Sequence, residues 1–197
     1  APRVAVTGSV LTVNDTDEDG DALSAVAESV TSTGGGTATI YSDGTFTFLP
    51  GVGDKGIIDT FVYRVSDGQA TGSGTVSVTI GAELVWWVDG AAAPGGDGRS
   101  TLPLSGLATL NGNPATDPDA PGETIFLRTG PGAYAGGLAL EASQSLVGDS
   151  AGLSIGGVQL VPPAATTPVV TNAVGNGLDL ANGVSVQGVL VSGASGD

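Results

Sequence analysis

The chain of 197 residues contains no cysteine, no histidine and no methionine. Without cysteine there is no disulfide framework and no thiolate chemistry, and without histidine the usual zinc sites and imidazole acid–base catalysis are excluded. Basic residues are scarce as well. Arg3, Lys55, Arg64, Arg99 and Arg128 stand against 20 acidic residues, for a formal charge of −15. Such a surface repels polyphosphate and anionic lipid, so nucleic acid is not an expected partner. No run of eighteen apolar residues exists, and the N-terminal residues lack the basic and apolar regions of a signal peptide, so neither membrane insertion nor a leader is read from this stretch.

What is abundant is glycine, at 34 residues, together with 11 prolines and an apolar fraction of 40% in which aromatics contribute only 5%. Short strands joined by tight turns suit that mixture better than helices, so the chain is read as all-β. From Val4 to about Ile80 the pattern is alternating runs: Ala38-Thr-Ile-Tyr41, a Ser42-Asp43-Gly44 turn, then Thr45-Phe-Thr-Phe48, a hairpin signature. Phe61, Tyr63 and Val65 alternate with Val62 and Arg64, and Val76, Val78 and Ile80 repeat the period, which predicts two facing sheets.

Charge is concentrated in one place. Asn14-Asp-Thr-Asp-Glu-Asp-Gly-Asp21 holds five carboxylates in eight residues, and two carboxylates 4 Å apart repel by about 4 kcal/mol at an effective dielectric near 20. The loop either splays into water or holds a cation. Asp15-x-Asp17-x-Asp19-Gly20 begins like an EF-hand loop, but Val26 stands where the closing Glu belongs and no helices flank it. A non-EF calcium site on Asp15, Asp17, Asp19 and Asp21 is therefore expected, because hard oxygen donors in an irregular loop favour Ca²⁺ over Mg²⁺ or transition metals.

The succession GSVLTVNDTDEDGDALSAV, GTATIYSDGTFTFLP, DTFVYRVSDG and GTVSVTI resembles the cadherin-like, Ig-like repeats of large bacterial surface and adhesion proteins. The resemblance implies a β-sandwich over residues 1–81, extracellular or cell-surface location, and Asp59 and Asp67 as further calcium ligands. Such repeats carry a strand ahead of the Gly-Ser-Val-Leu segment, and with seven residues available here that strand is expected to be missing.

After Gly81 the character changes. Brief apolar runs (Ile125–Leu127, Leu138–Leu140, Ser145–Val147, Val169–Thr171, Leu178–Leu180, Val184–Val186, Val189–Val191) alternate with Gly and Asn turns, a pattern suited to stacked parallel strands. Residues 82–197 are similar to the N-terminal part of β-helix regions in large bacterial surface and autotransporter-like proteins, which implies the start of a right-handed parallel β-helix. Leu104, Leu107 and Leu110 at helical spacing, with Ser100 or Thr101 as N-cap, predict a short capping helix over 101–111. The strand-like run that closes the sequence reads as a fragment of a longer protein.

Trp86 and Trp87, being adjacent, are expected on opposite faces of a strand, with one in a core and the other a weaker candidate for glycan stacking. Gly95-Gly-Asp-Gly-Arg99 lacks the lysine of a phosphate loop and reads as a structural turn with Asp97 pairing Arg99. Asp117-Pro-Asp-Ala-Pro-Gly-Glu123, with three carboxylates in seven residues, reads as a solvated turn by default, with metal binding as the lesser alternative. No catalytic set emerges. The functional expectation is a calcium-stiffened structural or adhesive segment of a secreted bacterial surface protein, partnered by neighbouring repeats, by further copies in a filament, or by a surface glycan or protein. The rival is the accessory and N-terminal region of a β-helix polysaccharide lyase or hydrolase, or a carbohydrate-binding module.

Overall fold

The computed structural model describes residues 4–6, 11–111 and 117–193. Residues 7–10, which open the cadherin-like segment, and 194–197, which close the sequence, lie outside it. The chain divides into two compact units, Ala1–Ala82 and Glu83–Asp197.

In the first unit the strands are β1 (Val4–Val6), β2 (Ser24–Ala25), β3 (Glu28–Thr31), β4 (Thr37–Ile40), β5 (Phe46–Leu49), β6 (Ile58–Ser66) and β7 (Thr71–Thr79). They form two antiparallel sheets, β1-β5-β4-β3 and β2-β6-β7. The β4–β5 hairpin closes at Asp43-Gly44, where Gly44 takes φ +82° and its N–H donates to the Tyr41 carbonyl. Phe61, Tyr63 and Val65 of β6 face Ala38, Ile40, Phe46 and Phe48 across the core, while Val62 and Arg64 point to solvent, as the period of two requires. Phe61 is the pivot, stacked 5.9 Å from Phe48 and edge-on 5.2 Å from Phe46. The strand expected to be missing is present: β1 pairs with β5 in the register Val4↔Phe48. Three residues ahead of Gly8 are enough, because this edge position needs pairing on one side only.

The second unit contains β8 (Val85–Asp89), β9 (Thr124–Arg128), β10 (Tyr134–Ala135), β11 (Leu138–Leu140), β12 (Ser145–Gly148), β13 (Leu153–Ile155), β14 (Val158–Val161), β15 (Val169–Asn172), β16 (Leu178–Leu180), β17 (Ser185–Gln187) and β18 (Leu190–Gly193). Three of its sheets are parallel: β17-β12-β9-β8, β10-β15-β18 and β11-β16. The chain returns to the same sheet after 21 residues from Thr124 to Ser145 (145 − 124) and again from Val169 to Leu190 (190 − 169). From Ser145 to Ser185 the return takes 40 (185 − 145), because the antiparallel hairpin β13–β14 intervenes. Apolar residues stack in register: Trp86, Ile125, Leu146 and Val186 make one column, Tyr134, Val170 and Val191 another. On the opposite face of β9 and β12, Phe126 and Val147 pack under Leu153 of the hairpin.

The predicted helix over 101–111 does not form. Leu102 bridges Arg99, Leu104 bridges Val88 in parallel, and only Ala108–Leu110 makes a 3₁₀ turn. Pro103 disfavours helical geometry at Leu102, and the Leu104 backbone joins the edge of β8, accepting from Asp89 N–H at 2.8 Å and donating to the Trp87 carbonyl at 2.9 Å. The three leucines are nonetheless buried, covering the core beside β8. Leucine spacing identified the apolar face, and proline decided the backbone.

Trp86 and Trp87 do occupy opposite faces. Trp86 is in the main core and donates through Nε1 to Glu123 at 2.6 Å. Trp87 packs edge-on against Phe126, 5.0 Å between centroids, in the second cluster, so its ring is engaged in packing. Arg99 pairs with Asp97 at 3.3 Å.

Candidate functional site

The acidic loop lies at one end of the sandwich, between Leu11, anchored in the core, and β2. Its carboxylates have distinct tasks. Asp15 is half-buried and accepts the Tyr63 hydroxyl on both oxygens, at 3.1 and 3.0 Å. Burial, and then the hydrogen bond and charge of Asp15, raise the Tyr63 phenol above its ordinary value. The ring is admitted by Gly74 on β7, where a Cβ would sit 2.5 Å from it. Asp17 folds the loop on itself, its Oδ1 accepting the N–H groups of Asp19 and Asp21 at 3.0 and 3.1 Å, with Gly20 in the left-handed region at φ +83°. Asp19 and Asp21 project into solvent.

Asp67 reaches the same place from the end of β6, because the register Ser24↔Ser66 brings that end beside the loop. Its Oδ1 accepts Ala70 and Gln69 N–H groups, both at 2.6 Å, and these hold its carboxyl below the ordinary aspartate value. Asp15, Asp17 and Asp67 line one open groove, together with the hydroxyl-bearing Thr16, Thr71 and Ser73. As a donor set these oxygens suit a hard divalent cation.

Asp59 does not join them. It begins the same strand that Asp67 follows, so eight residues, about 26 Å of extended chain, separate the two. It is fully buried at the far end, where its Oδ1 accepts Gly34 N–H at 2.6 Å, Thr60 N–H at 2.7 Å and the Thr33 hydroxyl at 2.9 Å, and its Oδ2 accepts the Ser32 hydroxyl. Burial pushes the carboxyl up, but these hydrogen bonds outweigh it and the net displacement is downward. Asp59 is a structural anchor at the end of β6 away from the acidic loop, and its carboxylate is engaged there instead of closing that loop as a calcium ligand. Among the described residues no three carboxylates are gathered closely enough to hold a metal ion as they stand.

The Tyr63–Asp15 contact and the Asp59 cradle were not foreseen from the sequence. Pairing over 48 and 27 residues gives no local signal. Gly34 and Gly74, each pressed against the side chain concerned, were the available hints.

The first unit is thus a small antiparallel β-sandwich with an acidic loop closing one end. Residues 2–82 match the family model of the bacterial cadherin-like domain, which covers the first unit and less than half of the chain. No characterised protein and no solved structure matches the chain. A cadherin-like domain points to an adhesive or structural segment at an extracellular or surface location. Among the described residues no helix is long and apolar enough to cross a membrane.

Proposed function

We infer that the chain is a load-bearing segment of a bacterial surface protein, in which a calcium-dependent cadherin-like domain precedes a parallel β-helix. The observation that carries the first half is the convergence of Asp15, Asp17 and Asp67 on one groove of a domain matching the cadherin-like family. Calcium drawn to those three carboxylates, with Asp19 and Asp21 at the rim, offsets their mutual repulsion and draws the loop onto the groove. Because the folded domain brings these donors to one groove and an unfolded chain does not, ion binding adds directly to domain stability. The β-helix reading of residues 83–197 is supported by three parallel sheets visited in turn and by the 21-residue return. Such a rod is suited to extension and display rather than turnover.

Melting the protein in millimolar Ca²⁺ and in EDTA tests the first half. Occupancy at 100 times Kd adds about 2.7 kcal/mol, so the first unit's transition should rise by several degrees, and the Asp15→Asn/Asp67→Asn variant should lose the rise. Equal melting in both solutions removes calcium from the proposal. Incubation with acidic and neutral polysaccharides addresses the enzyme reading, since new reducing ends or unsaturated products would replace the structural role with a catalytic one.

A further inference from the structure

The segment Asp117–Glu123, expected to be a solvated turn, is instead folded into the second unit. Asp119 and Glu123 are 7% and 5% exposed, and Gln144, on the approach to β12, is fully buried between them and the turn that precedes it. Gln144 is the hub: its Oε1 accepts the Glu141 N–H at 2.7 Å, and its Nε2 donates to Asp119 Oδ2 at 2.6 Å and to the Ala120 carbonyl at 3.2 Å. Glu123 is held separately, by Trp86 Nε1 at 2.6 Å and by the Ala120 N–H at 3.0 Å.

Two atoms in this network, Asp119 Oδ1 and Glu141 Oε2, have no hydrogen-bonding group to meet. Asp119 Oδ1 is buried without a donor, and the Asp117 carboxyl, whose Oδ1 accepts the Asp119 N–H at 3.4 Å, is its neighbour. Two carboxylates cannot share a buried contact while both are ionised, so the pair takes up either a cation or a proton. Asp119 is 7% exposed, and a proton neutralises it there without calling for further ligands.

We propose that a proton held on the buried Asp119 carboxyl, beside Asp117, makes it a proton-operated clasp that fastens the segment 117–123 to Gln144 and, through Glu123, over Trp86. Among the described residues, the charged groups of this network are acidic: Asp117 and Glu123 on the segment of Asp119, and Glu141, whose Oε2 is also buried without a partner, on the turn before Gln144. None of them compensates an ionised Asp119. Burial first, and then the hydrogen bond to Asp117, push the Asp119 carboxyl up to about 8, against the opposing donor Gln144. A folded value raised this far means that the folded chain keeps a proton that the unfolded chain releases. The clasp's contribution is complete below the ordinary aspartate value, declines as pH rises, and is gone once pH passes about 8. Ionisation then sets Asp119 against Asp117 and frees the segment.

Carbon-detected NMR of the intact chain with labelled aspartate, followed from pH 5 to 10, reads the proton directly. One side-chain carboxyl should titrate near 8, and the Asp119→Asn spectrum should identify it by its loss. The melting transition of the second unit should fall across the same range in the wild type and stay level in Asp119→Asn, whose amide donates to Asp117 at every pH while its oxygen still accepts from Gln144. Tyr134, pushed up to about 12 by burial first, does not titrate in this window. If every aspartate carboxyl titrates below pH 5, the clasp is overturned. It is equally overturned if 5 mM Ca²⁺ abolishes the pH dependence in a saturable way that Asp119→Asn removes, since the pair would then hold a cation. Should Asp119→Asn fail to fold, the wild-type titration decides alone.

Discussion

Replacement of Asp59 by Ala is expected to cost the first unit about 4 kcal/mol, which places it at or near global unfolding for a domain of ordinary stability. The effect follows from where the carboxylate sits, enclosed by four donors supplied from two distant segments: Ser32, Thr33 and Gly34 before β4, and Thr60 within β6. Alanine leaves the Gly34 N–H without an acceptor and the Thr60 N–H with only the longer bond to the Thr33 hydroxyl at 3.2 Å. Asp59→Asn makes the sharper comparison. Three of the four donors converge on Oδ1, which an amide oxygen can serve, and the Ser32 hydroxyl can rotate to accept from the new N–H, so this variant should lose only about 1–2 kcal/mol. The sign of the pH effect is fixed by the lowered folded value. Asp59 contributes stability that is present above the ordinary aspartate value and lost as pH falls through the lower folded one, so the asparagine variant should show a flatter acid limb. Denaturant unfolding at pH 7 and thermal melts from pH 2 to 6 measure both effects. An alanine variant as stable as the wild type would show that the cradle is not holding the sheets together.

Gly148→Ala should be among the most damaging single methyls in the second unit. The position lies at the end of β12 with φ −90°, an angle any residue adopts, so backbone freedom is not the reason for glycine there. The reason is approach: a Cβ would stand 1.9 Å from the Gly188 carbonyl oxygen and 2.8 Å from Pro168 Cγ. Neither obstacle is a flexible side-chain end. Accommodation must part β12 from the turn after β17, at a cost of about 3 kcal/mol or more. Gly132→Ala serves as the comparison, since nothing lies within 4 Å of its Cβ position and a change within about 0.5 kcal/mol is expected. Equal unfolding midpoints for the two variants would contradict the close packing at Gly148.

Much of the fold was legible because period and turn chemistry are local. The alternation around Phe61 and Val76, the Asp43-Gly44 hairpin and the opposed tryptophans follow from two-residue periodicity alone. The short apolar runs after Gly81 correctly marked strands, and their grouping into parallel sheets followed from their brevity. What failed was where one local signal competed with another: the leucine spacing at 104, 107 and 110 said helix, while Pro103 and the open edge of β8 decided for extended chain. The candidate site divided in the same way. Asp15, Asp17, Asp19 and Asp21 announce themselves by crowding, and Asp67 falls beside them because β2 pairs with the end of β6. Asp59 could be told from Asp67 only by counting strand residues, since both flank the same apolar run and stand at opposite ends of it. The buried role of Asp119 was hidden for a different reason. Two prolines and a glycine around it signal exposure, and the partner that overrules them, Gln144, is 25 residues away.

The unequal corners of the parallel unit bear on how such chains change over time. The passage from the first parallel sheet to the second takes six residues from Ser185 to Val191 (191 − 185) but 25 from Ser145 to Val170 (170 − 145), where the hairpin β13–β14 is accommodated. Strand registers on either side are kept regardless. Length is thus decoupled from stacking at this corner, and the hairpin tip, Gly156-Gly157, both at positive φ and with nothing near their Cβ positions, is where foreign sequence can be spliced with least disturbance. Diversification of the exposed corner, with the stack left untouched, is the evolutionary freedom this architecture grants.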